Sequence, residues 1–376
     1  CKRTMISALR KKVISQKGKI VIKVGTRLLT DLGRIGELIR EIHKIREKGY
    51  QVILVTSGAV GLGMKAMELT RRPKELAKKQ ALASIGQGKL MSLYDAEAQK
   101  HGFHVGQILL TMSGLRDREQ HLNTLNCINT LLQMNVLPII NENDSVSVEE
   151  LTFGDNDTLA TLVGMMMRCQ LTIILTSVDG LYEVKDGKFA DRISLVEKIT
   201  PEIKKMAMGT DDDQTSVGGM ASKIKAACMV ASAGEYLWIA NGKDMGILEK
   251  IFKAEDVGTL FLPPENTLMS SKKRWLSFFA KTHGQIHIDE GAEKALLKNG
   301  RSLLPSGVTE LSGTFRKGSA VDIINKNKII IAKGLSNYSI DDLMQVIGLK
   351  SGELDKVLGY HGYEEAVHRD NLVLCD

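Results

Sequence analysis

Between Lys19 and about Leu262, six short apolar runs alternate with longer amphipathic stretches, and this alternation constrains the fold more than any other property of the chain. The runs are IVIKV from Ile20, VILVT from Val52, HVGQILLT from His104, VLPII from Val136, TIILT from Thr172 and YLWIA from Tyr236. The stretches Ile35 to Lys48, Lys74 to Lys100, Asn123 to Met134 and Ser222 to Ala233 carry apolar residues at helical spacing. Strand alternating with helix predicts an α/β domain in which a mostly parallel sheet is sandwiched by helices, its loops gathered along one edge.

At 376 residues the chain exceeds one typical domain. Its character changes over 263–282, where Pro263-Pro264 is followed by Ser270-Ser271-Lys272-Lys273-Arg274-Trp275, a linker by composition whose end, with Trp275, Phe278 and Phe279, is expected to dock. Short β-like pieces follow (GQIHID, AVDII, KIIIAKG), separated by turns such as Ser312-Gly313 and Lys317-Gly318. The expected division is therefore 1–262 for the α/β domain, 263–282 for the linker and 283–376 for a smaller β-rich domain.

No apolar run approaches the roughly 18 residues of a membrane span. The first nineteen residues are basic (Lys2, Arg3, Arg10, Lys11, Lys12, Lys17, Lys19) but lack the apolar stretch and cleavage site of a secretory signal. An amphipathic helix on Met5, Leu9 and Val13 is the expectation, with a transit peptide as the alternative. The five cysteines (Cys1, Cys127, Cys169, Cys228, Cys375) form no CxxC and are odd in number, which fits a reducing cytoplasm, and the eight histidines are scattered without metal spacing. The net charge of +7 is uneven: from His283 onward eleven Lys and Arg face thirteen Asp and Glu, so the positive excess lies in the α/β domain, where an anionic substrate explains it.

Several strand ends carry polar chemistry. VLPII leads into Asn141-Glu142-Asn143-Asp144, and Gly154-Asp155-Asn156-Asp157 precedes the helical run LATLVGMMM. In open α/β sheets ligands bind beyond the carboxyl ends of the strands, although Asn and Asp also serve as turn formers and helix caps. IVIKVGT sets Lys23 inside an apolar strand, either facing an anionic partner or pointing to solvent at a strand edge, with Gly25 and Thr26 after it. TSGAVGLG (Thr56 to Gly63) is a Gly-rich strand-to-helix turn able to aim backbone N–H groups at an anion, yet it fits neither GxGxxG nor GxxxxGK[ST]. After the fifth strand come Thr176, Ser177 and Asp179, positions able to hold a base or ribose. Val217-Gly218-Gly219-Met220-Ala221-Ser222-Lys223 opens a helix and puts a lysine where the helix dipole prefers acids, an arrangement that suits a bound polyphosphate.

The segments IVIKVGT, LVTSGAVGLG, HVGQILLT, INENDSV, GDNDTLA and GGMASKIKAA, in this order, resemble those of the amino acid kinase family. The tail, with GQIHIDEGAEKALL, GRSLLPSGV, IAKGLSNYS and GYEEAVHRDNLVL, is similar to a PUA domain. The chain departs from the family's usual pattern at Thr176-Ser177 and at Gln214 to Val217, both on the nucleotide side.

The resemblance implies the amino acid kinase fold and ATP-dependent phosphorylation of the L-glutamate side-chain carboxylate to L-glutamyl 5-phosphate, the entry to proline synthesis, with proline as inhibitor. It assigns Lys23, Lys223 and Asp157 to catalysis, the two lysines as charge stabilisers and Asp157 as the residue that holds them. It assigns Ser57, Gly58, Asn141, Asp144 and Asn156 to glutamate, and Lys23, Gly25, Thr26, Thr176, Ser177, Val217, Gly218, Gly219, Met220, Ala221, Ser222 and Lys223 to ATP. Mg²⁺ is expected to bridge ATP phosphates through phosphate and water oxygens, with no protein metal ligands. A homo-oligomer and transient hand-off of the acyl phosphate to glutamyl phosphate reductase are implied too. The alternatives are a sibling kinase acting on acetylglutamate, aspartate or UMP, which would share Lys23, Gly25 and Lys223, and an RNA-binding protein acting through its PUA-like tail. The tail's slight acidity argues against nucleic acid.

Overall fold

The computed structural model describes residues 2–26, 32–147, 156–185, 188–208, 217–264, 270–359 and 362–375. Gly154, Asp155 and Gln214 to Ser216, which the sequence assigns to loops of the site, lie outside these residues. The chain forms two compact units, one of Cys1–Leu115 and Glu119–Leu268, the other of Arg116–Arg118 and Met269–Asp376.

The first unit runs α1 (Lys2–Ser15), β1 (Lys19–Val24), α2 (Leu32–Glu47), β2 (Gln51–Val55), α3 (Ala59–Ala66), α4 (Leu76–Gln99), β3 (Val105–Leu110), α5 (Met112–Arg116), α6 (Arg118–Gln133), β4 (Leu137–Glu142), α7 (Asn156–Met167) and β5 (Leu171–Thr176). It continues through β6 (Tyr182–Lys185), β7 (Lys188–Arg192), β8 (Leu195–Val196), α8 (Pro201–Met208), α9 (Val217–Ser232), β9 (Tyr236–Asn241), α10 (Ile247–Phe252) and β10 (Thr259–Phe261). The sheet order is β3-β4-β2-β1-β5-β9-β10-β8, parallel from β3 to β9, with β10 antiparallel to β9. After β4 the chain crosses β1 to place β5 on its other side, and such a reversal opens a crevice at the strands' carboxyl ends.

Central position explains the composition of β1. Ile20, Val21, Ile22 and Val24 are at most 1% exposed, because helices cover both faces of the sheet. Ile20, Ile22 and Val24 pack with Ile35, Ile39 and Ile42 of α2 on one face, while Ile174, Leu237 and Ile239 meet Ile224, Ala227 and Val230 of α9 on the other. Each of these Ile, Val and Leu side chains contributes about 1.5–3 kcal/mol on burial, enough in sum to hold one lysine in the same strand.

Two features lock elements of the first unit together. A Cβ on Gly86 of α4 would lie 1.7 Å from the Ala59 carbonyl oxygen, and one on Gly63 of α3 would lie 1.9 Å from that of Leu82. The two helices therefore touch backbone to backbone, an approach closed to any residue with a side chain. At the other side of the sheet the fully buried Arg10 of α1 donates to the carbonyls of Ser194 (3.0 Å), Gly258 (3.3 Å) and Glu255, pairs with Asp256 at 3.0 Å and lies 4.9 Å over the ring of Trp238.

The second unit contains α11 (Ser271–Phe278), β11 (Gly284–Ile288), α12 (Glu290–Asn299), β12 (Val308–Gly313), β13 (Ala320–Ile324), β14 (Ile330–Leu335), α13 (Ile340–Gln345), α14 (Leu354–Leu358) and β15 (Leu372–Leu374). Its sheet order is β12-β11-β13-β14-β15, antiparallel except for the β11–β13 pair, over a core that includes Ile286, Leu296, Phe315, Val321 and Ile331. Helix α11 falls inside the stretch whose composition reads as a linker: Ser270 caps it by accepting from the Lys273 amide, and Trp275, Leu276 and Phe279 are buried.

Candidate active site

The carboxyl end of β1 presents Lys23, whose neighbours in the sheet are Val55 of β2 and Ile174 of β5. Its ammonium lies 2.6 Å from Oδ1 of Asp157, and Nζ of Lys223 lies 2.9 Å from Oδ2 of the same carboxylate and 3.0 Å from the Gly219 carbonyl oxygen. All three are buried, with exposures of 9% for Lys23, 2% for Asp157 and 7% for Lys223. Asp157 occupies the first turn of α7, where the helix dipole favours an anion. Burial alone would push its carboxyl up; Lys23 and Lys223 overcome that and hold it below the usual carboxylate range. Two cations share one anion, so the cluster carries a net positive charge that a polyphosphate would neutralise.

Gly25 and Gly219 border this charge. A Cβ would come 3.6 Å from the Lys23 ammonium at Gly25, and 4.0 Å from the Lys223 ammonium at Gly219, so their absence leaves the space beside both cations open. Val217, Gly218, Gly219, Met220, Ala221, Ser222 and Lys223 form the first turns of α9, with Met220 partly packed against the apolar cluster of β5 and β9. Thr176 closes β5 and Ser177 follows it, both half-buried, next to the end of β1.

A second group stands on the β2 and β4 side. Gly58 has φ 97°, a left-handed turn that starts α3 and that glycine adopts without strain. Ser57 donates to the Val24 carbonyl at 3.1 Å and accepts from the Thr26 hydroxyl at 3.2 Å, tying this turn to the end of β1. Asn156 donates to the Thr56 carbonyl at 2.5 Å and to Oδ1 of Asn141 at 3.1 Å, while Asn141 donates to Oε1 of Gln87 at 2.9 Å. These amides make a buried chain from β2 through α7 and β4 to α4. A cleft of about 170 Å³ is lined here by Thr26, Ser57, Gly58, Asn141, Asp144 and Asn156, and by Arg72.

Strand β4 runs two residues beyond the expected Ile140, so Asn141 and Glu142 sit in the sheet opposite Leu109 and Leu110. The reason is internal satisfaction: both ends of the Asn141 amide bond to protein, its oxygen also accepting from the Glu142 amide at 2.9 Å. Asn141 therefore braces the cleft, and Asp144, in the turn that follows, is the half-buried acid facing it. Burial raises its carboxyl above the ordinary range, with Arg72 partly opposing the rise.

Three contributors escaped the sequence reading. Gln87 is a polar residue on the buried face of α4; a fault in that helix's apolar pattern was its only signal. Tyr94 meets the Thr56 hydroxyl at 2.8 Å and looks like an ordinary core aromatic. Arg72 lies in the run Thr70-Arg71-Arg72-Pro73-Lys74, which reads as a solvated loop. Among the described residues no group of His, Cys, Asp or Glu could hold a metal ion, and no helix is long and apolar enough to cross a membrane.

Residues 18–241 match the model of the amino acid kinase family and residues 284–358 that of the PUA domain. The chain belongs to the amino acid kinase family. Its relatives include a glutamate 5-kinase from Caldanaerobacter subterraneus subsp. tengcongensis, 42% identical over 95% of this chain and 98% of that protein. Others are a glutamate 5-kinase from Moorella thermoacetica at 42% over 96% and 97%, and one from Desulfotalea psychrophila at 44% over 97% and 99%. Within the family the chain stands with the glutamate 5-kinases. Among solved structures, carbamate kinase from Giardia lamblia bound to AMP-PNP covers 66% of this chain and 100% of its own at 19% identity, with a TM-score of 0.47, too loose a likeness to argue from.

Proposed function

We propose that this chain transfers the γ-phosphoryl group of ATP to the side-chain carboxylate of L-glutamate, giving L-glutamyl 5-phosphate. The observation that carries the reading is the buried Lys23–Asp157–Lys223 cluster at the crevice of a chain that stands with the glutamate 5-kinases.

The chemistry suits the residues. A carboxylate with an ordinary pKa near 4.3 is already ionised at neutral pH, so the acceptor needs no general base and the site no catalytic His or Cys. What the reaction needs is alignment of two anions and neutralisation of charge on the moving group. Lys23 and Lys223 stabilise that group, with N–H donors from Gly25, Gly58 and Gly219 beside them, and Asp157 holds the two ammonium groups in place. Thr26, Thr176, Ser177 and the α9 start from Val217 to Ser222 take the nucleotide. Asp144 takes the α-ammonium of glutamate, Ser57 and Asn156 its carboxylate oxygens, and Asn141 braces them. Mg²⁺, when bound with ATP, would neutralise charge on the phosphates, while Asp157 stays paired with both lysines.

Proline, which has the α-ammonium and α-carboxylate of glutamate without its side-chain carboxylate, fits the Asp144 end as an inhibitor. A homo-oligomer and delivery of the labile product to glutamyl phosphate reductase complete the reading, with residues 1–262 as kinase, 263–282 as connection and 283–376 as an auxiliary domain that does not bind nucleic acid. The direct test is ATP consumption on addition of L-glutamate, with the acyl phosphate trapped by hydroxylamine; no hydroxamate above the glutamate-free control would refute it.

A further inference from the structure

Resting on that reading, we propose that Arg72 binds the α-carboxylate of the amino-acid substrate and, with Asp144, selects a free α-amino acid. An α-amino acid is a zwitterion whose opposite charges sit on adjacent atoms of one carbon centre. The protein side that matches it is an acid and a base close to each other but not in contact, so that neither neutralises the other before the ligand arrives. Asp144 and Arg72 have that relation. Both line the 170 Å³ cleft, and they are near enough for Arg72 to offset the effect of burial on Asp144. Among the described residues no ion pair or hydrogen bond within contact distance joins them or occupies either one elsewhere.

The remaining charge arithmetic agrees. The substrate's two carboxylates need separate cationic surroundings, and the lysine pair is committed to the phosphoryl end through Asp157. Among the described residues that line the cleft, Arg72 is the one cationic side chain. Its guanidinium presents a planar fork that matches a carboxylate with two parallel hydrogen bonds. Arg72 belongs to the loop between α3 and α4, two helices locked together through Gly63 and Gly86, so the loop is anchored at both ends close to the cleft. Arg71, its neighbour in the chain and also exposed, is not among the residues that line the cleft.

The test compares wild type, Arg72→Gln, Arg72→Lys and Arg71→Gln on two substrates, L-glutamate and its α-carboxamide, which keeps the reacting side-chain carboxylate and loses only the charge assigned to Arg72. Wild type is expected to use glutamate and to disfavour the α-amide by roughly 10- to 100-fold in kcat/KM, the scale of a hydrogen-bonded charge. Arg72→Gln should raise KM for glutamate by a similar factor, leave KM for ATP and kcat near wild type, and use the two substrates about equally well. Arg72→Lys should recover part of the discrimination, and Arg71→Gln should match wild type. An Arg72→Gln enzyme that keeps wild-type KM for glutamate, or that weakens on both substrates equally with its discrimination intact, overturns the assignment. A wild-type enzyme without glutamate activity overturns the proposed function, and this inference with it, so the two failures appear in different proteins of the same assay.

Discussion

In the proposed reaction, the lysine cluster and the cleft lined by Asp144 and Arg72 form two ends with opposite problems, one at the phosphoryl group and one at the amino acid. At the phosphoryl end, Lys23, Asp157 and Lys223 are buried and joined at 2.6 and 2.9 Å, so the cations are positioned before any ligand enters. At the amino-acid end, Asp144 is half-buried and Arg72 exposed, and the charges stand apart. The two carboxylates are accordingly displaced in opposite directions, Asp157 below its ordinary range despite burial and Asp144 above it because of burial. An end that must stabilise a transient charge needs preorganised cations, whereas an end that must release a zwitterion works with groups that become paired only when the ligand is bound.

The sharpest way to break this contrast is at the paired end. Lys23→Ala and Lys223→Ala should each lower kcat by about 10²-fold or more, the scale for losing one charge stabiliser. Circular dichroism should find both folded, because the surviving lysine still pairs with Asp157. Near-normal turnover in either variant would remove that lysine from the reaction. At the open end, Asp144→Ala should raise KM for glutamate by roughly 10- to 100-fold with KM for ATP unchanged. A rise in the ATP constant instead would make the contrast between the ends false.

The support of the open end can be tested within one helix. Gly86→Ala forces a methyl group into the Ala59 carbonyl and should destabilise the fold by about 1–3 kcal/mol, seen as a lower Tm. Gly88→Ala, two residues on with nothing within 4 Å of the added carbon, should be neutral or stabilising by up to about 1 kcal/mol. Equal effects would mean that helix propensity, and not the close approach of α3 and α4, governs the site.

A pH titration distinguishes the two acids. Asp157 has a depressed folded value, so its contribution to stability is present above the unfolded value near 3.9 and is lost only as pH falls through the lower folded one. Asp144 has a raised value, so on acidification it is protonated first. Activity should therefore fail initially through a rising KM for glutamate, while Tm still holds. The acid limb of kcat/KM for glutamate should lie above that of an ordinary Asp, and Asp144→Asn should leave only the substrate's own titration near 4.3. The smallest expected effect is that of the tail: a chain ending near Lys281 should still phosphorylate glutamate, since every assigned side chain precedes it.

Much of this was legible in the residues, and the reasons differ by element. Continuous apolar runs betray strands covered on both faces, so β1 to β5 and β9 and the helices α2, α4, α6, α7 and α9 follow from pattern, while β8 and β10, two and three residues long, are too short to show one. Lys23 and Lys223 were conspicuous because a cation in an apolar strand and a cation at a helix start each break a rule that only a ligand or partner repairs. Arg72 broke no rule; a charged residue in a polar loop is what solvent exposure produces, and its place beside Asp144 arises from the glycine contact between α3 and α4, which no local pattern reports. Asn141 shows the reverse: it looked like a loop residue because asparagine favours turns, but the buried amide chain keeps it in the strand.

The seat of Arg10 over Trp238 has an optical consequence. The chain contains two tryptophans, Trp238 in the sheet of the first unit and Trp275 in α11 of the second. With Trp275→Phe, intrinsic emission comes from an indole held in a dry site under a guanidinium, and with Trp238→Phe it comes from the other unit alone. Two single-tryptophan variants therefore turn one chain into separate spectroscopic reporters, and the order in which its halves lose structure becomes a matter of wavelength and time.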